Sequence, residues 1–340
     1  MKKRILALLL LTLLLGACTA SPEFGPEMAE TFVDEGAIIQ EVTFHSNGFK
    51  IVGDLRRPAE GEMHPAVIML HGDGPATRDG NVPFEPTIQR FLRNGYAVFS
   101  WDKPGSGEST GELDGEYELS QRAAILADGI EILKEHPSID STRIGLWGLS
   151  QAGWVMPLAL ELTDEVAFMI VVSGGAEDSI EQMAFQIGQK IPGNGGTAEQ
   201  AAHFERYFAP SLKATDYPDY LAAMEKVLEI PDVERVAGLT LEIAAEDDWR
   251  PWPRDIDAFF DPMRIVEHTT IPVLAYFGEW DKLIDPVQGA EAYEMALRKA
   301  GNQDYQIVTI PRMGHVFTAA SEYLETMEAW LQHLSLGDQI

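Results

Sequence analysis

The 340-residue sequence contains one cysteine, Cys18, and few basic residues. A single cysteine excludes an internal disulfide, so a buried core must hold the fold together. Only 25 lysines and arginines stand against 54 aspartates and glutamates, which gives a formal net charge of −29. Phosphate backbones repel a chain this acidic, and we therefore expect no general nucleic-acid binding. Hydrophobic residues make up 45 % of the chain, a fraction typical of a globular protein and not of a disordered one.

Long apolar runs are also scarce, and the clearest one lies at the N-terminus. Three basic residues at positions 2–4 lead into an apolar run over residues 5–15. This run is too short to cross a bilayer as a mature helix, but its basic start and apolar core are typical of a signal peptide. The Leu-Gly-Ala-Cys sequence that follows resembles the lipobox of bacterial lipoproteins. We expect a signal peptide over residues 1–17, lipidation of Cys18, and export to the cell envelope with the folded part outside the cytoplasm; an ordinary secretory signal is the alternative.

The next segments predict the domain organisation. Residues 18–36 are rich in Pro, Glu, Gly and Ala and predict a tether between the lipid anchor and the folded body. Strand-like and helix-like runs then alternate with short connections, which favours an α/β fold with a mainly parallel sheet. Residues 175–270 contain helical runs but no buried-strand run. We therefore predict a core over residues 37–174 and 271–340, with a helical cap inserted between its two parts.

One local signal in the core is a hairpin. Two strand-like runs at residues 41–45 and 50–56 flank Ser-Asn-Gly at residues 46–48. Asn-Gly supplies the positive φ angles that a tight hairpin turn requires, so we expect these runs to pair as antiparallel strands.

The sharpest motif is Gly148-Leu149-Ser150-Gln151-Ala152-Gly153. A predicted strand ends just before it and a predicted helix begins within it, so Ser150 occupies the turn between them. Such a turn is sharp and strained and exposes the serine Oγ, as a nucleophile needs. The alternative is an ordinary Gly-Ser turn, with Ser150 as the N-cap of the helix.

A serine nucleophile needs a base and a carboxylate that orients it. His315 lies in the loop between the last predicted strand and the final helix, at the same edge of the sheet as Ser150. Asp281 follows a buried strand and precedes His315, and the order Ser, Asp, His is that of α/β-hydrolases. The remaining candidates are His203 and His268 for the base, and Glu279 and Asp285 for the carboxylate. Asp285 is better explained as the cap of the helix that begins at Pro286.

The oxyanion that forms on the substrate needs two N–H donors. The sequence His71-Gly72-Asp73-Gly74-Pro75 follows the first buried strand, and its glycines allow the backbone to approach a substrate closely. We assign the two donors to the backbone N–H groups of Gln151 and Asp73, and we expect His71 to brace the loop. No cofactor is expected, and no catalytic metal, because the sequence lacks His-x-x-x-His and clustered carboxylates at ligand spacing.

Three motifs together resemble a known family. They are the run from His71 to Asn81, the Asp102-Lys103-Pro104-Gly105-Ser106-Gly107-Glu108-Ser109 segment, and the motif around Ser150. The sequence resembles the α/β-hydrolase branch that contains bacterial carboxylesterases and serine aminopeptidase-like hydrolases. The resemblance implies a sheet of about eight strands and acyl-enzyme chemistry on esters. Asp73, where a small residue is usual, and Ala152, in place of the second glycine, depart from the family pattern.

The function that these residues favour is hydrolysis of a small carboxylic ester. A peptidase acting on short peptides is the alternative, with Glu246, Asp247 or Asp248 holding the substrate amine. A third hypothesis is an inactive lipoprotein that binds a partner through the cap. We expect Trp249, Trp252 and Phe259 to line an apolar substrate pocket, although each could instead pack the cap onto the core. The expected partners are a small ester or a short acyl or peptidyl substrate, and a membrane through the N-terminal lipid.

Overall fold

The computed structural model describes residues 27–34, 36–80 and 82–337. The predicted signal peptide and Cys18 lie outside these residues. Nine strands form one sheet within the described part of the chain: β1 (Glu27–Asp34), β2 (Ala37–Ser46), β3 (Phe49–Pro58), β4 (His64–Leu70), β5 (Ala97–Trp101), β6 (Ile139–Leu149), β7 (Phe168–Val172), β8 (Val273–Gly278) and β9 (Tyr305–Ile310).

The sheet order is β1-β2-β3-β5-β4-β6-β7-β8-β9. Strands β4 to β9 run parallel to one another, whereas β1, β2 and β3 pair antiparallel, and β3 also pairs antiparallel with β5. The predicted α/β-hydrolase fold with a mainly parallel sheet is confirmed. The predicted hairpin is also confirmed as β2 and β3, with φ angles of 51° at Asn47 and 79° at Gly48.

Strand β1 corrects the predicted tether over residues 18–36. Residues Glu27–Asp34 form a strand that pairs with β2, and Gly36 has a φ of 87° between the two strands. The Thr31-Phe32-Val33 segment has high β propensity, although the composition around it is polar and contains Pro and Gly.

The helices cover both faces of the sheet. They are α1 (Glu85–Arg93), α2 (Glu118–Lys134), α3 (Ala152–Leu160), α4 (Ser179–Gly188), α5 (Ala198–Lys213), α6 (Tyr217–Leu228), α7 (Val233–Ala237), α8 (Met263–Val266), α9 (Pro286–Lys299) and α10 (Ser321–Gly337). Helices α2, α3 and α9 pack into one hydrophobic cluster and α1 and α10 into another, on opposite faces of the sheet. No helix in the described residues is both long and apolar enough to cross a membrane.

The segment between β7 and β8 contains helices α4 to α8 and no strand. It has a hydrophobic cluster of its own, built around Phe204, Phe208 and Val227. Asp257 of this segment accepts hydrogen bonds from the N–H and hydroxyl of Ser120 at the start of α2. We call residues 175–270 the helical insertion; its division from the core at these two boundaries stays a prediction.

Candidate active site

The candidate nucleophile Ser150 lies between β6 and α3 in a left-handed backbone conformation, with a φ of 58°. A non-glycine residue held there costs about 1–3 kcal/mol, which the surrounding fold must supply. The Ser150 N–H donates to the carbonyl of Val172 on the neighbouring strand at 2.9 Å, which helps to hold the bend. The strained turn that the sequence motif predicts is therefore present.

The departure at Ala152 has a structural explanation. A Cβ at Gly148 would lie 2.7 Å from the Cβ of Ala152, and a Cβ at Gly153 would lie 2.5 Å from the backbone of Gly174. The turn that carries Ser150 thus approaches the neighbouring loop most closely at Gly153. Position 152 accepts a methyl group because the residue opposite it is the glycine at 148.

His315 and Asp281 form a hydrogen-bonded pair. Nδ1 of His315 lies 2.8 Å from Oδ2 of Asp281, whose side chain is 1 % exposed. The other carboxylate oxygen, Oδ1, accepts the N–H groups of Leu283 at 2.8 Å and Ile284 at 3.2 Å. Ser173 holds the loop from the other side, because its hydroxyl donates to the His315 carbonyl at 2.9 Å. With Nδ1 donating to the carboxylate, Nε2 of His315 is left as an acceptor for a proton.

The structure separates Asp281 from its two competitors. Glu279 accepts the backbone N–H of Arg312 at 2.7 Å. Asp285 caps α9 by accepting the N–H groups of Val287 and Gln288, which confirms the role predicted for it.

The alternative bases lie elsewhere. His203 bonds to the carbonyl of Lys226 within the insertion. His268 lines a separate surface depression of about 430 Å³ between α3 and α8, together with Arg264 and Glu161. Of the three candidate bases, His315 is the one that shares a cavity with Ser150.

Ser150 and His315 open into one cavity of about 210 Å³. The cavity is also lined by the loop after β4 and by apolar side chains; the lining residues are His71, Gly72, Asp73, Ala76, Val82, Phe84, Leu149, Leu283 and Val316. A hydroxyl on a strained turn and an oriented imidazole thus share a small concave site with mostly apolar walls.

The loop after β4 lies directly against Ser150. A Cβ at Gly72 would lie 3.0 Å from the Cβ of Ser150, so a side chain there would press on the candidate nucleophile. The exposed carboxylate of Asp73 accepts the side-chain amide of Gln151 at 3.3 Å. The negative charge that makes Asp73 unusual at its position is thus hydrogen-bonded to a side chain. The two residues assigned as N–H donors, Gln151 and Asp73, are therefore neighbours across the cavity rim.

His71 anchors the base of this loop. Its ring is buried and stacks on Phe84 at a centroid distance of 5.2 Å. Burial lowers the pKa of His71 to about 3, with a further contribution from the charge of Arg122, so the ring is neutral. These contacts fit the bracing role predicted for His71.

A known protein family matches most of this architecture. The model of a family described as "Alpha/beta hydrolase family" matches residues 67–328, well over half of the chain, and this range contains Ser150, Asp281 and His315. The chain belongs to the alpha/beta hydrolase family.

Named relatives are more distant. The chain is 32 % identical over 122 residues to thiohydrolase aneE of Aspergillus aculeatus, covering 35 % of this chain and 36 % of the relative. It is 27 % identical over 142 residues to the uncharacterized peptidase YtmA of Bacillus subtilis, covering 41 % of this chain and 52 % of that protein. The chain thus spans only about a third to a half of the length of these relatives.

Solved structures share the fold. The Pyrococcus furiosus esterase Pf2001 matches with a TM-score of 0.55 at 17 % identity, over 87 % of this chain and 90 % of that one. The acetyl xylan esterase of Paenibacillus sp. R4 matches with a TM-score of 0.58 at 14 % identity, over 91 % and 88 %.

The aromatic residues predicted for a substrate pocket do not line the cavity at Ser150. Trp249 stacks on Tyr220 at 5.4 Å, Trp252 is 44 % exposed, and the guanidinium of Arg254 lies 4.4 Å over the ring of Phe259. These residues were assigned from composition, but the insertion uses Trp249 and Phe259 for its own packing. The carboxylates at positions 246–248 do not line the cavity either.

Several charged residues make contacts behind the site that the sequence does not predict. Arg78 binds the buried carboxylate of Asp102 and also pairs with Glu41, Asp54 and Glu108. Despite an opposing effect of burial, the hydrogen bonds and charge of Arg78 lower the pKa of Asp102 and keep it ionised. Two further cations, Lys103 and Arg122, contact the loop after β4. The position of Lys103 next to Asp102 is the one sequence signal for these contacts.

Proposed function

We propose that this protein is a serine hydrolase that cleaves carboxylic esters through an acyl-enzyme on Ser150. The observation that supports the proposal most strongly is the shared cavity of Ser150 and His315, with His315 held at 2.8 Å by the buried carboxylate of Asp281. A strained serine, an oriented imidazole and a buried carboxylate are the three parts that nucleophilic catalysis by a hydroxyl requires.

In the first half of the reaction, Ser150 Oγ attacks the acyl carbon while Nε2 of His315 takes its proton. The substrate oxygen becomes an oxyanion and accepts hydrogen bonds from the backbone N–H groups of Gln151 and Asp73. Collapse of this intermediate breaks the ester bond, and His315 gives its proton to the leaving alcohol. Asp281 orients the imidazole and stabilises the imidazolium.

In the second half, water attacks the acyl carbon of the acyl-enzyme and passes a proton to Nε2 of His315. A second tetrahedral intermediate collapses, the acid leaves, and Ser150 Oγ recovers the proton from His315. Atoms balance as ester plus water giving acid plus alcohol, and no cofactor takes part.

The cavity indicates the substrate class. Its volume of about 210 Å³ lies below the ~300–1,000 Å³ of sites that enclose drug-sized ligands. Its apolar walls include Ala76, Val82 and Phe84, which suit a short, uncharged acyl group. The net charge of −29 disfavours anionic substrates through long-range repulsion. A neutral ester with a short acyl group therefore fits best.

The decisive assay compares p-nitrophenyl esters, acyl thioesters and aminoacyl naphthylamides on the purified protein and on Ser150→Ala. We expect turnover of short-chain esters that Ser150→Ala abolishes. The thioester arm is included because one relative bears the name thiohydrolase. Turnover of the naphthylamides alone would favour the peptidase alternative, and turnover retained by Ser150→Ala would contradict the proposal.

We also propose that residues 1–17 act as a signal peptide and that Cys18 carries the lipid that holds the enzyme at a membrane. The proposal rests on the basic start, the apolar run and the Leu-Gly-Ala-Cys sequence. Metabolic labelling with radioactive palmitate in a bacterial host tests it. Label incorporated by the wild type and lost in Cys18→Ala supports it, whereas equal label in both proteins contradicts it.

A further inference from the structure

Two cations are buried behind the loop that follows β4. The side chains of Lys103, which follows β5, and Arg122, on α2, are each 5 % exposed. Both have the same ion-pair partner, Glu118, at 3.7 Å and 3.8 Å. Two buried charges that share one distant carboxylate carry a desolvation cost that this ion pair alone does not offset. Their remaining contacts therefore need an explanation.

Those contacts go to the loop. Nζ of Lys103 donates to the carbonyl of Gly72 at 2.6 Å and to the carbonyl of Gly74 at 2.8 Å. The guanidinium of Arg122 donates to the carbonyl of His71 and, at 3.4 Å, to that of Gly72. Three carbonyls within four residues thus point at two positive charges.

This arrangement fixes the direction of the loop N–H groups. In a trans peptide the carbonyl and the following N–H point in opposite directions, and the described chain contains no cis peptide bond. Carbonyls of His71 and Gly72 that face the cations therefore turn the N–H groups of Gly72 and Asp73 to the other side. The residue after Gly74 is Pro75, which has no N–H, so that contact only holds the loop in place.

Arg122 also reaches the second donor. Its guanidinium donates to Oε1 of Gln151, whose backbone N–H is the other donor assigned to the oxyanion. One side chain is therefore bonded to both segments that supply N–H groups. A hydrogen bond from a cation to a peptide carbonyl also polarises that peptide and makes its N–H a stronger donor.

We propose that Lys103 and Arg122 are positioning residues of the oxyanion hole, which bind the loop carbonyls and thereby aim and polarise the N–H group of Asp73 toward the substrate oxyanion. Neither side chain touches the substrate; both act through the peptides of the loop. The proposal rests on the proposed function, because an oxyanion forms here only if Ser150 attacks an acyl group.

The test uses Lys103→Met, which keeps the length of the side chain and removes its donors and charge. Loss of one oxyanion donor costs about 10²–10³ in kcat, so misaiming one donor is expected to lower kcat on p-nitrophenyl acetate by about 10–100-fold. KM should change little, because the oxyanion exists only beyond the ground state. Affinity for an aryl trifluoromethyl ketone, which forms a stable oxyanion adduct with serine, should fall by the same factor as kcat/KM.

Two further variants complete the design. Lys134→Met removes a lysine from the far end of α2, where it pairs with Glu131 and Glu165, and should leave kcat and the ketone affinity unchanged. Lys103→Gln keeps a side-chain amide that can donate hydrogen bonds without the charge, and its kcat should lie between those of the wild type and Lys103→Met. If Lys103→Met does not fold, as judged by circular dichroism and thermal melting, Lys103→Gln decides the question.

The outcomes are distinguishable. A folded Lys103 variant that loses kcat and ketone affinity in parallel, with KM nearly constant, supports the proposal. Wild-type kcat and ketone affinity in folded Lys103→Met, or in Lys103→Gln if that is the variant that folds, overturn it. An inactive wild type, or activity that survives Ser150→Ala, would instead contradict the proposed function itself.

Discussion

Asp281 accepts the Nδ1–H of His315 with one carboxylate oxygen and the backbone N–H groups of Leu283 and Ile284 with the other. The carboxylate is thus fixed by the chain that follows it, and the imidazole is fixed by the carboxylate. The orientation of His315 consequently depends on a few local hydrogen bonds at the carboxyl end of β8.

The first prediction concerns this pair. Asp281→Asn keeps the shape of the side chain but can donate to Nδ1, which places the imidazole proton on Nε2 and removes the base. We expect kcat on a short ester to fall by about 10³–10⁴-fold with little change in fold, as for loss of the orienting carboxylate in a serine triad. Glu279→Gln is the matched control, because Glu279 binds Arg312 and not the imidazole. Equal losses in the two variants would contradict the role of Asp281.

The second prediction concerns acyl-chain length. Leu283 lines the cavity and is partly exposed, so Leu283→Ala should widen the site. We expect the ratio of kcat/KM for octanoyl over acetyl ester to rise by about tenfold, within the range that small changes in an apolar pocket produce. Trp252→Ala, in the insertion, should leave the ratio unchanged. If the octanoyl-to-acetyl ratio changes in Trp252→Ala and not in Leu283→Ala, residues of the insertion and not Leu283 determine acyl-chain specificity.

The third prediction is a pH dependence that arises from Lys103. Burial, together with the charge of Arg122, lowers the pKa of Lys103 from 10.5 to about 7, although Glu118 and Asp73 oppose the shift and the neighbouring His71 is neutral. If its charge assists the oxyanion, kcat falls as the pH rises through about 7 and Lys103 loses its proton. Stability should change in the opposite direction. Between about pH 7 and 10 the unfolded chain binds one more proton at this group, so the free energy of unfolding rises with pH.

Lys103→Met checks both signs at once. The variant should lose the alkaline fall in kcat that belongs to Lys103, and its free energy of unfolding should rise less steeply than that of the wild type between pH 7 and 10. Urea denaturation at several pH values supplies the second measurement. If kcat and the free energy of unfolding depend on pH in the same way in the wild type and in Lys103→Met, the pH dependence does not arise from Lys103.

The fourth prediction concerns Glu177, just after β7. Burial raises its pKa to about 7, against the effect of a hydrogen bond from Gln288 at 2.6 Å. Between pH 4.5 and 7 the folded protein binds more protons than the unfolded chain at this group, so its contribution to stability declines as the pH rises and is lost above about 7. Glu177→Gln should therefore raise the melting temperature by about 2 °C at pH 8 and by nothing at pH 4.5. The exposed Glu225→Gln on α6 is the control, and a gain that is the same at both pH values would rule out this explanation.

Local signals account for what could be predicted from the sequence. Asn47-Gly48 predicts its turn because few residues adopt positive φ without strain. Asp285-Pro286 predicts a helix start because the Asp side chain can accept free N–H groups of the first turn, and Pro at the first helical position has no N–H that needs a partner. The bend at Ser150 is predicted for the same reason, since small residues on both sides of it are a steric requirement. In each case the cause lies within a few residues of the feature.

Features that depend on distant contacts were not predicted. Lys103 and Arg122 lie about 30 and 50 residues from the carbonyls that they bind, and nothing near them in the sequence indicates that contact. The aromatic residues of the insertion were misassigned for a related reason. Trp249 is as suitable for a pocket as for packing, and only the position of Tyr220 decides between the two.

The central claim is that Ser150 is an activated nucleophile, and covalent labelling tests it most directly. A fluorophosphonate reacts with a serine only when a base activates the hydroxyl and the oxyanion is stabilised. We predict that the purified protein gains the mass of one phosphonyl group, that peptide mass spectrometry places it on Ser150, and that Ser150→Ala and His315→Ala gain none. A folded wild-type protein that stays unlabelled, or one labelled at another residue, would contradict the account.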